Sequence, residues 1–161
     1  MRLTTFTDYT LRVLMYLAIE PNRLATIPEI ACAYGISENH LMKVAYRLAR
    51  NGLIDSVRGK GGGIRLARPP ANIRLGLVIQ ASEGDAIITE CFSVETNTCC
   101  IAPTCKLSAI LADAFKGFYK ALDAYSLADL VNDPQQLGAL IRSRPYNTAQ
   151  SNRLKNCNPN T

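Results

Sequence analysis

Six cysteines stand in 161 residues, and four of them, Cys91, Cys99, Cys100 and Cys105, fall within one short stretch, Cys-Phe-Ser-Val-Glu-Thr-Asn-Thr-Cys-Cys-Ile-Ala-Pro-Thr-Cys. Pro103, the Asn and Thr turn formers and the absence of a helical period make this stretch a loop. A thiol-rich loop can fold its sulfurs onto one point, as a metal ion or an iron–sulfur cluster requires and as a straight helix or strand of this span cannot. Three chemistries compete for it. Structural zinc wants two closely spaced Cys knuckles, and no such pair of pairs is present. The vicinal Cys99 and Cys100 could cycle as a dithiol, through a strained disulfide. An iron–sulfur cluster accepts thiolates at irregular loop spacings and tolerates a non-cysteine ligand. Spacing favours the cluster and, alone, leaves the dithiol open. Cys32 lies among apolar residues and reads as core, and Cys157 stands in a polar tail with no neighbour to ligate with.

A second set of residues has the chemistry of nucleic-acid contact. In the segment after Ser37, Leu41, Val44 and Leu48 form an inward stripe, which leaves Asn39, His40, Lys43, Arg47 and Arg50 on the outward surface. Asn and Arg can bond base edges bidentately in the major groove, whereas Lys43 and Arg50 suit phosphates. Strand-like runs then flank Gly59-Lys-Gly-Gly-Gly63, giving a β-hairpin with a basic, glycine-rich tip. Arg58, Lys60, Gly61 and Arg65 belong to this hairpin, whose tip suits the DNA backbone or minor groove. No Lys-Ser/Thr pair follows the glycines, so a nucleotide phosphate loop is excluded. His40 is the only histidine and reads as a phosphate contact rather than a metal ligand. No nucleophile, base and orienting group come together in the pattern, so an enzyme is not expected.

The elements that must position these residues follow from local signals. A first helix starts at Asp8 with a stripe of Leu11, Leu14, Met15 and Ala18, and Pro21-Asn22 ends it. Thr26, Pro28 and Glu29 form a capping sequence for a short helix that stops at Gly35. The next helix runs from Glu38 to about Asn51, closed by Gly52. Two helices joined by a tight glycine turn, then a basic hairpin, is a winged helix-turn-helix. After Pro69-Pro70, Asn72 is a candidate cap for a helix carrying Leu75, Val78 and Ile79 and ending at Gly84. Beyond the thiol loop, Leu107, Leu111, Ala114, Phe118, Ala121 and Tyr125 alternate at four and three residues, a coiled-coil seam broadened by Ile110 and Leu122. Such a helix calls for a second copy, and a dimer supplies the two readers that a palindromic operator needs. Ser126–Val131 reads as a short last helix ending near Pro134.

The expected fold class is therefore mainly α with a small β-hairpin: a winged helix-turn-helix DNA-binding domain, a cysteine loop and a long dimerisation helix. Residues 1–74 form the DNA-binding domain, residues 75–142 the cluster loop and dimerisation helices, and the polar tail 143–161 is expected to be disordered. Charge agrees with this division. The net charge is +5, and residues 1–74 carry 11 Lys/Arg against 5 Asp/Glu while the remainder carries 7 against 8. The excess positive charge thus belongs to the half expected to meet a polyanion. The apolar run Val13–Ile19 is too short for a membrane span and lacks a cleavage site, so a cytoplasmic protein without a membrane partner is expected, where thiols stay reduced.

The opening Met-Arg-Leu-Thr-Thr-Phe-Thr-Asp-Tyr-Thr-Leu-Arg-Val-Leu-Met-Tyr-Leu-Ala, the wing Gly59-Lys-Gly-Gly-Gly-Ile-Arg-Leu-Ala and the Cys-Ile-Ala-Pro-Thr-Cys end of the loop resemble the NsrR family, nitric-oxide-responsive repressors of the Rrf-two superfamily. The likeness covers about residues 1–130. It implies a homodimeric winged-helix repressor with an iron–sulfur cluster in each subunit, 4Fe–4S rather than 2Fe–2S, that leaves double-stranded operator DNA when nitric oxide nitrosylates the cluster. Carried over by position, the ligands it implies are Cys91, Cys99, Cys105 and, from the other subunit, Asp8. Two departures stand out. The interval from Cys91 to Cys99 is longer than the compact gap of some members, and Cys100 is an extra thiol beside a ligand. Cys99 keeps the usual interval to Cys105 and is preferred. Alternatives are an iron–sulfur-supply, iron or redox sensor of the same fold, or a cluster-carrying electron-transfer protein whose basic half binds a protein.

Overall fold

The computed structural model describes residues 2–84, 92 and 97–143. Helices α1 (Thr5–Ile19), α2 (Ile27–Tyr34) and α3 (Glu38–Arg50) are followed by β1 (Ile54–Val57) and β2 (Gly63–Leu66). A single 3-10 turn at Pro70–Asn72 leads to α4 (Leu75–Glu83), and after the thiol loop come α5 (Leu107–Asp123), α6 (Leu127–Leu130) and α7 (Pro134–Ser143). The described residues form two compact units: one combines those up to Ile73 with 126–143, and the other lies within Arg74–Tyr125. The expected fold class holds. The tail beyond Ser143, with Cys157, lies outside the described residues.

In the first unit, each reader helix starts on a side-chain oxygen. Thr4 Oγ1 accepts the Thr7 N–H, Thr26 Oγ1 the Glu29 N–H and Ser37 Oγ the His40 N–H. Helix α1 therefore starts three residues earlier than expected, at Thr5, and Asp8 lies within its first turn. Its inward face also differs in phase. Thr7, Thr10, Val13, Leu14, Leu17 and Ala18 are buried, while Leu11 and Met15 are only half-buried. A threonine methyl packs like a small hydrophobe, and the Thr7 hydroxyl is satisfied locally by Thr4 at 3.1 Å. These threonines turn the helix onto its core.

Glu29 completes the capping box of α2 and ties it to α1. Its carboxylate accepts the Tyr16 hydroxyl at 2.7 Å and the Arg23 guanidinium at 2.5 Å. Burial pushes this carboxyl up, but the Arg23 and Tyr16 bonds and the Thr26 N–H outweigh it and hold it below the usual carboxylate range. Gly35, at φ 65°, supplies the left-handed turn between α2 and α3.

The hairpin pairs antiparallel in the register Ile54↔Leu66, Asp55↔Arg65, Ser56↔Ile64 and Val57↔Gly63. Ile54, Ile64 and Leu66 face the core. Ala25 adds a third rung: its N–H donates to the Ile64 carbonyl at 2.9 Å, and the Ile64 N–H donates to the Ala25 carbonyl at 2.8 Å. A side chain at Gly63 would strike the Ala25 carbonyl. The wing root is thus fixed to the strand-like entry of α2.

In the second unit, α4 and α5 lie against each other. Asn72, expected as a cap, sits in the 3-10 turn, and Arg74 at the helix entry makes no side-chain cap bond. Asp123 supplies one from α5, its Oδ1 accepting the Leu77 N–H at 2.9 Å. Gly76 lets the helices approach, since a Cβ there would run into Asp123 and the Tyr119 carbonyl. Gly84 ends α4 as expected.

Candidate functional site

Two sets of side chains have the chemistry of function. The first is the thiol loop at the entry of α5. Cys99 and Cys100 are exposed and Cys105 is half-buried, all as free thiols. Two overlapping turns shape the loop: the Ala102 N–H donates to the Cys99 carbonyl at 3.1 Å and the Cys105 N–H to the Ile101 carbonyl at 2.9 Å. The Asn97 side-chain oxygen accepts the Cys99 N–H at 3.0 Å. At the entry of α5 a sulfur accepts a backbone bond, Cys105 Sγ from the Leu107 N–H at 3.4 Å. N–H bonds to sulfur are among the features that set the properties of cluster thiolates. Cys91 lies outside the described residues, and among those described no three potential ligands form a group. The donor set nevertheless suits an iron–sulfur cluster in kind: accessible thiols on irregular backbone, at the positive end of a helix.

Asp8 is half-exposed and paired side-on with Arg12, Nε to Oδ1 at 3.2 Å and the terminal nitrogen to Oδ2 at 3.0 Å. The Arg12 guanidinium also lies 5.8 Å from the Tyr34 ring centre. On either side of Asp8, two aromatic residues of α1 meet α3. Phe6 carries the Arg47 guanidinium at 5.3 Å, and Tyr9 lies 6.0 Å from the His40 ring. His40 and Arg47 are thus bound to the flank of α3 nearest α1.

The second set is the outward face of α3. Its buried residues Leu41, Val44, Ala45 and Leu48 set the inward direction. At about 100° per residue, Asn39, Lys43, Tyr46 and Arg50 then lie within roughly 30° of the opposite pole. Asn39, Lys43 and Arg50 fall where the sequence put them. Tyr46 and Met42, missed there, are 66% and 52% exposed on the same surface. A helical wheel drawn from the inward stripe would have found both. In the wing, Arg58, Lys60 and Gly61 are exposed at the tip, where Gly59 and Gly61 take positive φ of 97° and 77°. Arg65 is outward on β2 but faces Asp55 across the hairpin at 3.8 Å. Arg68 is engaged elsewhere, donating to the Gly52 carbonyl at 2.8 Å.

A capped helix-turn-helix with an exposed polar helix face and a basic wing defines a winged-helix regulator of transcription. The chain belongs to the Rrf2 family, described as "Iron-dependent Transcriptional regulator", which matches residues 3–133. It is 45% identical over 145 residues to the HTH-type transcriptional regulator NsrR of Bacillus subtilis, covering 89% of this chain and 99% of that protein. It is 42% identical over 146 residues to NsrR of Halalkalibacterium halodurans, covering 90% and 100%. Among solved structures, CymR, the global cysteine regulator of B. subtilis, is similar with a TM-score of 0.61 at 28% identity, covering 82% of this chain and 97% of that one. IscR of T. potens is similar with a TM-score of 0.64 at 28% identity, covering 85% and 90%. The chain is thus a transcriptional regulator rather than an enzyme.

Proposed function

We propose that this chain is a cytoplasmic, nitric-oxide-responsive repressor that binds operator DNA as a homodimer and holds an iron–sulfur cluster, 4Fe–4S in preference to 2Fe–2S. Cys91, Cys99 and Cys105 are the thiolate ligands, and Asp8 of the second subunit completes the set. The relatives called NsrR support the assignment. The observation that carries the coupling is the position of Asp8 on α1, between the two aromatic side chains that bear on Arg47 and His40 of α3. When bound, the cluster supplies iron that nitric oxide can attack. The chain's own part is a choice of partner for one carboxylate. Asp8 either reaches the second subunit's site or stays with Arg12. A change between the two resets the first turn of α1, and Phe6 and Tyr9 pass that change to α3. Asn39, Lys43 and Arg50, with Arg58, Lys60 and Gly61 of the wing, hold the DNA, and His40, Arg47 and Arg65 join them from positions partly engaged within the fold.

Protein purified without oxygen tests the ligand set. It is expected to contain iron and sulfide and to absorb in the visible, and Asp8→Ala is expected to change that spectrum without loss of helix. Absence of iron and sulfide in the wild type, or an identical spectrum for Asp8→Ala, contradicts the proposal.

The family's description as iron-dependent favours a second reading, a sensor of iron, cluster supply or redox state on the same fold. Titration of the loaded protein with nitric oxide, oxygen and an iron chelator separates the two by which agent releases DNA.

A further inference from the structure

We infer that Met42 and Tyr46 form an apolar strip on α3 that reads the 5-methyl groups of thymine in the major groove of each operator half-site. The inference rests on the DNA-binding reading above and adds to it the chemistry of base selection.

Helix α3 presents two large, mostly apolar side chains to solvent in a surface otherwise polar or charged, Met42 at 52% and Tyr46 at 66% exposure. They are one helical turn apart and adjacent on the wheel, so they make one strip rather than two isolated side chains. Lys43 and Arg50 border the strip, and the Arg50 guanidinium lies 5.8 Å from the Tyr46 ring centre. That contact limits the freedom of the ring and keeps it at the surface. The opposite flank of the helix, at His40 and Arg47, is occupied by Tyr9 and Phe6 of α1. Met42 lies on the flank away from that packing.

The positive charge around the strip selects its occupant. Residues 1–74 carry 11 Lys/Arg against 5 Asp/Glu, and Lys43 and Arg50 beside the strip outnumber Glu38, the one acidic residue of α3, which lies a turn before Met42. A polyanion is the complementary partner. In the major groove of duplex DNA, the apolar feature of a base edge is the thymine 5-methyl group. A recognition helix reads bases with its N-terminal turns, where Asn39 and Met42 lie. Asn39 thus supplies the hydrogen-bonding part of the code, and Met42 with Tyr46 the methyl part.

The test starts from a randomised duplex pool selected by the full-length wild-type protein purified without oxygen. Single thymines of the enriched duplex are then replaced by deoxyuridine, which removes only the methyl group. At one or two positions in each half-site, uracil is expected to weaken wild-type binding about four-fold, the effect of one buried methyl. Met42→Ala and Tyr46→Ala are each expected to bind more weakly and to lose most of that uracil penalty, as coupled groups do. Their salt dependence is expected to match the wild type, since neither side chain displaces counterions. If no thymine is sensitive, or if the penalty survives in both variants, the inference is overturned. A change in sedimentation of Tyr46→Ala without a change in DNA selectivity also overturns it, and makes the strip a protein contact. A pool that yields no enriched duplex overturns the DNA-binding reading itself.

Discussion

The side chains of α1 show how single residues serve both the core and the reader. Tyr16 bonds Glu29, and Tyr34 meets the Tyr16 ring edge-on at 6.1 Å. Burial, helped at Tyr16 by the Glu29 carboxylate, pushes both phenols up to about 12. The folded chain therefore holds these protons more tightly than the unfolded chain, whose tyrosines ionise near pH 10. Their contribution to stability is complete below about pH 10 and is lost as pH rises toward 12. Urea unfolding between pH 9 and 11.5 is expected to show this loss, and a Tyr16→Phe, Tyr34→Phe double variant a shallower decline. An equal decline in both proteins would remove the tyrosines as its cause. At this scale the cysteines, the polar residues of α3 and the wing cations are legible from residue type alone. Met42 and Tyr46 are not, because an apolar residue in a helical pattern is read as core until the helix phase is known. The pairing of Arg65 with Asp55 needs the strand register, which no local signal supplies.

Elements are legible where a cap or a glycine marks them. Thr26 with Glu29, Gly35, Ser37 and Gly84 all act at the ends where they were expected. Helix α4 departs from this, because its cap comes from Asp123, far along the chain. Replacing Asp123 by Ala is expected to cost about 1 kcal/mol, the usual effect of removing a cap. For a chain of this size that lowers Tm by about 3 °C. Gly76→Ala is expected to cost more, because the Tyr119 carbonyl is backbone and cannot move aside. Thermal unfolding followed by circular dichroism checks both, and a Gly76→Ala protein as stable as wild type would contradict the packing of α4 on α5. Helix α7 departs from the sequence pattern. Asp133-Pro134 reads in the sequence as an ending, yet Asp133 Oδ1 accepts the Gln136 N–H at 2.9 Å and Pro134 is the first residue of a new helix. The same pair of residues punctuates in both directions.

For the whole molecule, the exposed side of α5 is the feature with the widest consequence. None of its residues is buried, and Leu107 and Ile110 are 49% and 63% exposed. The seam expected from the sequence divides: Leu111 and Phe118 are half-buried, while Leu107, Ala114, Ala121 and Tyr125 remain open. An apolar stripe left on the surface of a regulator with one reader in each chain fits a homodimer. Ala114→Glu puts a charge in the middle of that stripe. It is expected to sediment as a monomer and to lose operator binding while keeping its helix content. A dimeric Ala114→Glu protein would place the interface elsewhere.

The most direct measurement is operator binding by the cluster-loaded wild-type protein, followed by fluorescence anisotropy during anaerobic titration with nitric oxide. Release of DNA is expected in step with loss of the cluster absorbance, with Asp8→Ala displaced from the wild-type curve. DNA binding that persists after the absorbance has gone would contradict a nitric-oxide-responsive repressor.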